Sequence, residues 1–523
     1  MKKLFLLSLL SLFLTGSLLT AREGQTILYT GKRELKAAHK PSTDHSKLKE
    51  LQKSFSSPEE VTMACESCHT ERHREIMATN HWTWSRPVVI DGKEIDLGKK
   101  NIINNFCIAL TSNEPRCTSC HIGYGWKDGN FDFSNRKKVD CLVCHDRTGT
   151  YKKFPTGAGY PVTKETLFMG KKKFFPPDYT KIAQNVGIPT RDNCGTCHFF
   201  GGGGNNVKHG DLEKALSKPS KNLDIHMAVD GENMLCIDCH VTSKHNIKGK
   251  MYSVSSADTN HVYCESCHAA PVHANSVLEE HSGRVACQTC HIPTYARANP
   301  TKMWWDWSKA GRFDKNGKGI IITNSKGEQD YNFMKGEFHW EKNVTPEYVW
   351  FNGTARHTLV TDTINPQKII QLNRLEGSYA DRHAKIWPVK VMRGKQIYDV
   401  EYKTLIIPKL FGKKESGAYW KNFDWNLAAA KGMEAAGLPY SGHYGFVQTE
   451  MYWPLNHMVT SAEKALTCTE CHSRNSRLAA LTDFYLPGRD RNTTLDMLGM
   501  ILILLAVGGS ITHGLIRLIT KSK

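Results

Sequence analysis

The sequence predicts a mainly α fold with long loops, a minor β component in one insert, and a single C-terminal transmembrane helix. Three observations lead to this prediction. A Cys-x-x-Cys-His motif occurs eight times, mostly at short intervals, and most of the β-like pattern lies in residues 292–467, where the motif is absent. Residues 497–516 contain no acidic residue, lysine or arginine, and twenty such residues can span a bilayer as a helix. A buried core helix is the alternative, but core helices are rarely apolar all round.

The N-terminal residues 1–21 have the layout of a secretory signal peptide. Two lysines precede an apolar stretch from Leu4 to Leu14, and small or polar residues follow it up to Ala21, after which we expect cleavage. An uncleaved anchor is the alternative. Residues 22–60 form a polar leader, and we expect its histidines, His39 and His45, to be solvated.

Sixteen of the seventeen cysteines belong to the eight motifs, which we number 1 to 8 in chain order. This motif is the attachment signature of c-type haem: two thiols one helical turn apart add to the vinyl groups, and the adjacent histidine binds the iron. The sequence therefore predicts eight covalent haem c groups. The cysteines are Cys65, Cys68, Cys117, Cys120, Cys141, Cys144, Cys194, Cys197, Cys236, Cys239, Cys264, Cys267, Cys287, Cys290, Cys468 and Cys471. The proximal histidines are His69, His121, His145, His198, His240, His268, His291 and His472.

A six-coordinate haem iron also needs a distal ligand. The chain has 24 histidines, so 16 remain after the proximal ones. We take as candidates those near the motifs or in the motif-free insert. They are His81, His209, His226, His245, His261, His273, His281, His357, His443 and His457.

The net charge of +18 raises the question of a nucleic-acid partner. Eight haems would bring sixteen propionates, which need cationic neighbours where they are buried. The lysine and arginine excess is explained in this way, with a remainder for a small anionic substrate. We therefore expect no nucleic-acid binding.

The motif intervals predict how the chain is arranged. Residues 61–292 form a seven-haem core, in which short intervals place haem 2 beside haem 3 and haems 5, 6 and 7 in a row. Residues 293–467 form a haem-free insert that wraps the core and supplies distal ligands; a separate substrate domain is the alternative. The insert carries β-like stretches at 318–324, 348–353 and 403–410, and a helix at 424–437 begun by Asp424 and ended by Gly437.

The C-terminal part is expected to attach the haem domain to the membrane. Residues 468–482 hold the eighth haem, 483–496 form a short linker, 497–516 cross the bilayer, and 517–523 form a cytoplasmic tail. Arg517, Lys521 and Lys523 favour the cytoplasmic side for that tail. This predicts a single-pass protein of the inner (cytoplasmic) membrane whose haem domain faces the periplasm. The short linker makes haem 8 the natural electron port.

The chain resembles the octahaem cytochromes c of the tetrathionate reductase type. The resemblance is carried by "INNFCI", "SNEPRCTSCHIGYGWKD", "VDCLVCHDRTGTYKKFPTGAG", "NCGTCHFFGGGGNNVKHGDL" and "YWPLNHMVTSAEKALTCTECHSRN". It covers most of residues 62–487 in order. The family's soluble members lack the C-terminal membrane helix found here.

The resemblance implies one haem with a distal lysine, an acidic residue and an unpaired cysteine beside it as the active site. Cys107 is the unpaired cysteine. Lys208 and Lys181 both lie near motif 4 in the chain; Asp178 precedes Lys181 by three residues, whereas Asn205 stands at that offset from Lys208. We favour Lys208 because it follows the glycine tract 201–204. For Cys107, a small buried side chain without a role is the alternative.

Two functions remain open from the sequence, and a third is less favoured. The first is multi-electron reduction of a sulfur or nitrogen oxyanion, such as tetrathionate or nitrite, or of hydroxylamine. The second is an electron conduit without chemistry of its own, between a quinone-linked or cytochrome b partner and periplasmic acceptors; the intramembrane His513 would fit such a partner. A relative of the octahaem hydroxylamine oxidases is the third, and its crosslinking tyrosine has no assignable counterpart here.

Overall fold

The computed structural model describes residues 43–90, 92–170, 172–250 and 261–521. The predicted signal peptide, most of the leader including His39, and Lys523 lie outside the described residues. Helices in the described part are mostly short. They are α1 Pro58–Cys68, α2 Arg72–Met77, α3 Asn80–Thr83, α4 Glu114–Cys117, α5 Leu142–His145, α6 Tyr179–Gln184, α7 Arg191–His198, α8 Cys236–Cys239, α9 Ser276–His281, α10 Cys287–His291, α11 Tyr419–Asn422, α12 Trp425–Ala436, α13 Cys468–Cys471 and α14 Thr493–Lys521.

Each Cys-x-x-Cys-His motif lies on a helical turn. Most fall on short α-helices or at a helix end, and two fall on 3₁₀ turns, Thr118–Cys120 and Cys264–Ser266. A helical turn brings residues three apart onto the same face, so both thiols of a motif point to one side. The local fold therefore satisfies the stereochemistry of double attachment at every motif.

The structure contains more β-structure than the sequence predicted. The strands are β1 Arg86–Ile90, β2 Lys93–Leu97, β3 Thr166–Phe168, β4 Lys172–Phe174, β5 Thr242–Ser243, β6 Asn246–Ile247, β7 Thr301–Asp306, β8 Ile321–Thr323, β9 Gln329–Asn332, β10 Gly336–Glu341, β11 Glu347–Phe351, β12 Ala355–His357, β13 Ile370–Gln371, β14 Asn373–Leu375, β15 Lys385–Asp399 and β16 Tyr444–Pro454. Eight of them form one sheet, so the β content is larger than the minor component that the sequence predicted. The sequence missed it because long-range pairing, rather than local propensity, stabilises these strands.

The eight-stranded sheet is organised around β15. Its strand order is β13-β16-β15-β7-β10-β9-β8, and β11 also pairs with β15. The β15–β16 pair is antiparallel and runs from Val389 opposite Pro454 to Asp399 opposite Tyr444. The largest hydrophobic cluster packs on this sheet and includes Trp305, Trp307 and Met392.

One predicted strand is wrong and one predicted helix is confirmed. Residues 403–410 form no strand, because their backbone turns to helix α12: the Lys409 N–H donates to the Ala428 carbonyl at 2.9 Å. Helix α12 begins as predicted, with the Asp424 side chain accepting from the Leu427 N–H at 3.0 Å. It ends at Gly437, whose φ of +66° is left-handed.

The sheet packs directly against the haem-bearing part of the chain. Asn105 is 1% exposed, donates to the Met392 carbonyl at 2.5 Å, and accepts from Gln396 and Thr449 at 2.7 and 2.6 Å. Every one of these partners lies on β15 or β16. The sheet thus fixes the loop that carries Cys107.

Helix α14 projects from the folded part of the protein. Among the described residues it is the one helix long and apolar enough to cross a membrane: Thr493–Thr520 contains an 18-residue window with mean hydropathy 2.0, and none of that window is buried.

Candidate functional site

Six of the proximal histidines face a second histidine ring. The pairs and their ring-centroid distances are His69–His45 at 6.4 Å, His145–His245 at 6.4 Å, His198–His81 at 6.2 Å, His240–His457 at 6.2 Å, His268–His226 at 6.0 Å and His472–His281 at 6.0 Å. For a seventh, His291, the neighbouring histidine with the strongest electrostatic effect is His273.

These distances fit paired axial ligands of haem iron. An imidazole nitrogen binds a metal at about 2 Å, and the ring centre lies about 1 Å behind it, so two axial rings should have centroids about 6 Å apart. The observed spacing agrees, although stacked imidazoles without a metal would come closer. The residues present therefore fit haem c.

His45 corrects the sequence analysis, which treated it as a solvated leader residue. Its Nδ1 is buried, and its ring stacks at 28° to that of His69. The leader folds back through two 3₁₀ turns, His45–Lys47 and Lys49–Leu51, and Leu51 packs into a core cluster. No local sequence signal marks this return, since it depends on the tertiary contact.

Four other candidate distal histidines have different main contacts in the described part of the chain. His209 is buried against Trp453, with ring centroids 5.0 Å apart, and the Nδ1 of His261 lies 3.2 Å from the Lys250 carbonyl. His357 lies on β12. The exposed His443 has its Nδ1 2.6 Å from a Glu401 oxygen, so it is held at the surface.

Hydrogen bonds orient several proximal rings. The Nδ1 atoms of His145, His240 and His472 lie 2.8, 2.8 and 3.1 Å from backbone carbonyls, to which each can donate. A donated Nδ1–H leaves Nε2 as the free ligand atom. This second interaction is a usual feature of metal-binding histidines.

Contacts between cysteines of different motifs define the order of the motifs in space. Direct thiol contacts join motif 1 to 3, 2 to 4, 4 to 5 and 6 to 7. Longer-range interactions join 3 to 4, 5 to 6 and 7 to 8. The order is therefore 1-3-4-5-6-7-8, with motif 2 attached at motif 4. The sequence interval had predicted motif 2 beside motif 3, and the backbone does join their flanks, since the Asp140 N–H donates to the Ile122 carbonyl at 2.9 Å. The cysteine contact of motif 2, however, is with motif 4, where Cys120 meets Cys197.

Motif 2 differs from the other seven. In the described part of the chain no second histidine ring faces His121, which is fully buried. Five aromatic rings surround it at centroid distances of 4.9 to 6.1 Å: Trp82, Trp84, Trp126, Phe131 and Phe133. Burial lowers the pKa of His121 to about 3. This enclosure holds a neutral imidazole among apolar rings, with its Nε2 2.7 Å from the Trp82 carbonyl.

Lys208 lies between motifs 2 and 4. Its ammonium is 4.5 Å from the centre of the Trp453 ring and interacts with Cys120, while its stem passes so close to Gly201 that a Cβ there would be 3.2 Å from Lys208 Cδ. Part of the side chain stays accessible, yet desolvation of the ammonium lowers the pKa of Lys208 to about 7. A neutral amine, the form that binds metals, is thus available near neutral pH.

The other predicted pair of active-site residues lies elsewhere. Lys181 is exposed on helix α6, and the exposed Asp178 caps that helix by accepting the Lys181 N–H at 2.9 Å. Both have ordinary structural environments on the surface.

Cys107 lies in a group of lysines that the sequence analysis missed. A Cβ on Gly203 would be 3.9 Å from Cys107 Sγ and 4.0 Å from Lys335 Nζ. Lys302, from β7, is 5% exposed with its ammonium 3.3 Å from the Phe338 ring centre, and it interacts with both Cys107 and Lys335. Lys99 interacts with Lys208 and with Cys117 of motif 2. We call Lys99, Lys208, Lys302 and Lys335 the lysine cluster.

The lysine cluster is short of negative partners. Burial holds the pKa of Lys302 well below its usual value and also lowers that of Lys335. In the described part of the chain, no carboxylate contributes to the environment of Lys208, Lys302 or Lys335. Buried cations without partners are costly, so this region is suited to an anion.

Comparison with known proteins agrees with the haem-attachment motifs. Residues 302–475 match the family described as bacterial cytochrome c. Residues 64–146 and 193–269 match the family described as cytochrome c554 and c-prime. An uncharacterised protein from Archaeoglobus fulgidus is 24% identical over 254 residues, which are 41% of this chain and 82% of that protein. Fold and motifs therefore define a multihaem c-type cytochrome with covalently bound haem c.

One solved structure is similar enough to this chain to show its family. The octahaem cytochrome c from Shewanella oneidensis is 46% identical and superposes with a TM-score of 0.76, over 84% of this chain and 96% of that one. The chain belongs to the octahaem cytochrome c family. Such a cytochrome domain indicates a location outside the cytoplasm, and α14 is a candidate membrane anchor.

Proposed function

We propose that this protein carries eight covalent haems and reduces a small sulfur or nitrogen oxyanion, or hydroxylamine, at haem 2. One observation carries the proposal: seven proximal histidines have a histidine neighbour, whereas His121 of motif 2 has none among the described residues and lies beside the lysine cluster. Bound haem would supply one-electron carriers at seven motifs. At motif 2 it would supply an iron whose distal ligand can be exchanged for substrate.

The residues around motif 2 have separable roles in this proposal. Lys208 would be the distal ligand of the haem held at motif 2, since desolvation favours its neutral amine, and the substrate would displace it. Lys302 and Lys335 attract the anion and stabilise negative charge that develops on it. The aromatic rings around His121 exclude water, which strengthens those electrostatic interactions.

Cys107 provides a test that separates a catalytic from a structural role. We expect Cys107→Ala to retain eight haems by intact mass and a normal fold, while turnover of tetrathionate, nitrite or hydroxylamine falls sharply. Reduction of the remaining haems by a dye should stay near normal. Sγ is expected to matter because it lies in the lysine cluster, where the anion would bind.

The opposite result would be a destabilised but fully active variant. A buried side chain without a role should cost on the order of 1 kcal/mol of unfolding free energy, with turnover per folded molecule unchanged. That outcome would remove Cys107 from the active site. A spectroscopic count of axial ligands on the same samples would test the proposal further, since one His/Lys iron supports the enzyme and eight His/His irons support a conduit.

The second part of the proposal is an electron-transfer partner in the membrane. The alternative function, an electron conduit without chemistry of its own, needs the same partner. Motif 8 ends the spatial order, and its His472 contacts Pro487, six residues before α14 begins. Six residues span at most about 20 Å. Arg489 fixes this connection through its bidentate pair with Asp490, at 2.6 and 2.7 Å. Haem 8 is thus the port to a quinone-linked or cytochrome b partner in the inner membrane.

Removing the helix tests this arrangement. Deletion of residues 495–523 should release a soluble protein with all its haems, because α14 makes no buried contact with the haem domain. Activity with an artificial donor should persist, and quinol-linked activity in membranes should be lost. If quinol-linked activity survives the deletion, the anchor does not serve the electron supply.

A further inference from the structure

In the described part of the chain, carboxylates contact the proposed distal histidines at three motifs. The Nδ1 of His245 lies 2.8 Å from Glu75 Oε2, that of His457 lies 3.2 Å from Asp211 Oδ2, and that of His273 lies 3.3 Å from Glu279 Oε2. These histidines belong to motifs 3, 5 and 7. Sequence spacing gives no hint of these contacts, because Glu75 and Asp211 are 170 and 246 residues from their partners.

Asp211 is the best-formed of the three contacts. Its carboxylate is 2% exposed and the same oxygen accepts the backbone N–H groups of Asn456 and His457 at 2.8 and 3.0 Å. The carboxylate is therefore fixed in place, and its remaining interaction is with the ring. Glu279 is held in a similar way by the N–H groups of Val272 and His273.

The neighbouring motifs have different second contacts. At motif 8, both axial candidates meet neutral carbonyls: His472 contacts Pro487, and His281 contacts Val277 at 2.6 Å. At motif 6, the nearby Asp224 accepts the backbone N–H of His226 at 3.0 Å. At motif 4, burial alone lowers the pKa of His81.

A carboxylate on the outer nitrogen of a histidine makes that ligand more basic. A more basic ligand stabilises ferric iron, which carries the higher charge, and so lowers the reduction potential. Along the spatial order 3-4-5-6-7-8, such a carboxylate is found at motifs 3, 5 and 7, which alternate with motifs 4, 6 and 8.

We propose that Glu75, Asp211 and Glu279 lower the reduction potentials of haems 3, 5 and 7, so that low and high potentials alternate along the protein. Electrons then reside preferentially on haems 4, 6 and 8. Haem 4 adjoins motif 2, so the alternation stores an electron next to the site that needs several of them. The inference rests on the histidine pairing, and it is independent of which substrate is reduced.

The test is a potentiometric titration of the full-length holoprotein, followed by haem absorbance and low-temperature EPR. Asp211→Asn keeps the acceptor oxygen for the two N–H groups but removes the charge. We expect one of the one-electron midpoints to rise, with about a tenfold change in the oxidised-to-reduced ratio at fixed potential, which is about 59 mV. Glu279→Gln, at a partly exposed residue that folding tolerates more readily, should raise a different single midpoint.

Asp399→Asn is the matched control. Asp399 is also fully buried and accepts N–H groups, from Glu401, Tyr402 and Ser441, but it contacts no axial histidine. Its replacement should leave all midpoints in place. Unchanged midpoints in both Asp211→Asn and Glu279→Gln, or equal shifts in Asp399→Asn, would overturn the inference, whereas the oxyanion activity could persist in either case.

Discussion

Replacing Lys208 by methionine is expected to abolish the His/Lys spectroscopic signature and reduce oxyanion turnover by about 100-fold, the loss typical of removing one group that stabilises developing charge. Once displaced from the iron, the Lys208 amine would join Lys302 and Lys335 in holding that charge. Methionine keeps the length of the side chain and its packing on Gly201 and Trp453, so the fold should be preserved. Its thioether can itself bind haem iron, in which case a His/Met signal would replace the His/Lys one. The seven His/His haems should give unchanged EPR signals. The measurement combines EPR of the oxidised protein with steady-state turnover from a reduced dye.

Lys181→Met is the matched control for Lys208→Met. It makes the same chemical change at the exposed lysine on helix α6, which the sequence had offered as the other candidate. We expect full activity and an unchanged spectrum from it. Retention of the His/Lys signal in Lys208→Met would show that another amine binds the iron.

His81→Met should slow electron delivery to motif 2 more than any other change at a distal ligand. Methionine as an axial ligand raises the potential of a c-type haem, so haem 4 would hold its electron instead of passing it on. Because the cysteine contact of motif 2 is with motif 4, we expect haem 4 to be its main electron donor. Steady-state turnover with a donor acting at haem 8 should fall at least tenfold, while the extent of haem reduction stays complete.

His45→Met is the comparison for His81→Met. Motif 1 lies beyond motif 3, at the end of the order away from motif 8, so trapping an electron there should leave turnover nearly unchanged. Equal losses in the two variants would contradict the order inferred from the sulfur contacts.

The sequence by itself determined the covalent chemistry. A helical turn is a local structure, so the spacing in Cys-x-x-Cys-His is sufficient to predict both thioether bonds and the proximal ligand at each motif. The start and end of helix α12 at Asp424 and Gly437 were predictable for the same reason. The apolar length of residues 497–516 likewise identified the one helix in the described part of the chain that is long and apolar enough to cross a membrane.

Only the tertiary structure decided which groups meet across the chain. The return of His45 to motif 1, the attachment of motif 2 to motif 4, and the approach of Lys302 and Lys335 to Cys107 all join residues far apart in sequence. The eight-stranded sheet also depends on long-range contacts, because Arg393 of β15 pairs with Trp304 of β7, 89 residues earlier, and Val389 pairs with Pro454 of β16, 65 residues later. Such contacts depend on packing and on the burial of charge, which leave no periodic pattern in the sequence. The haem-attachment sites could therefore be predicted from the sequence. Which residues would make one haem different from the other seven depends on the tertiary structure.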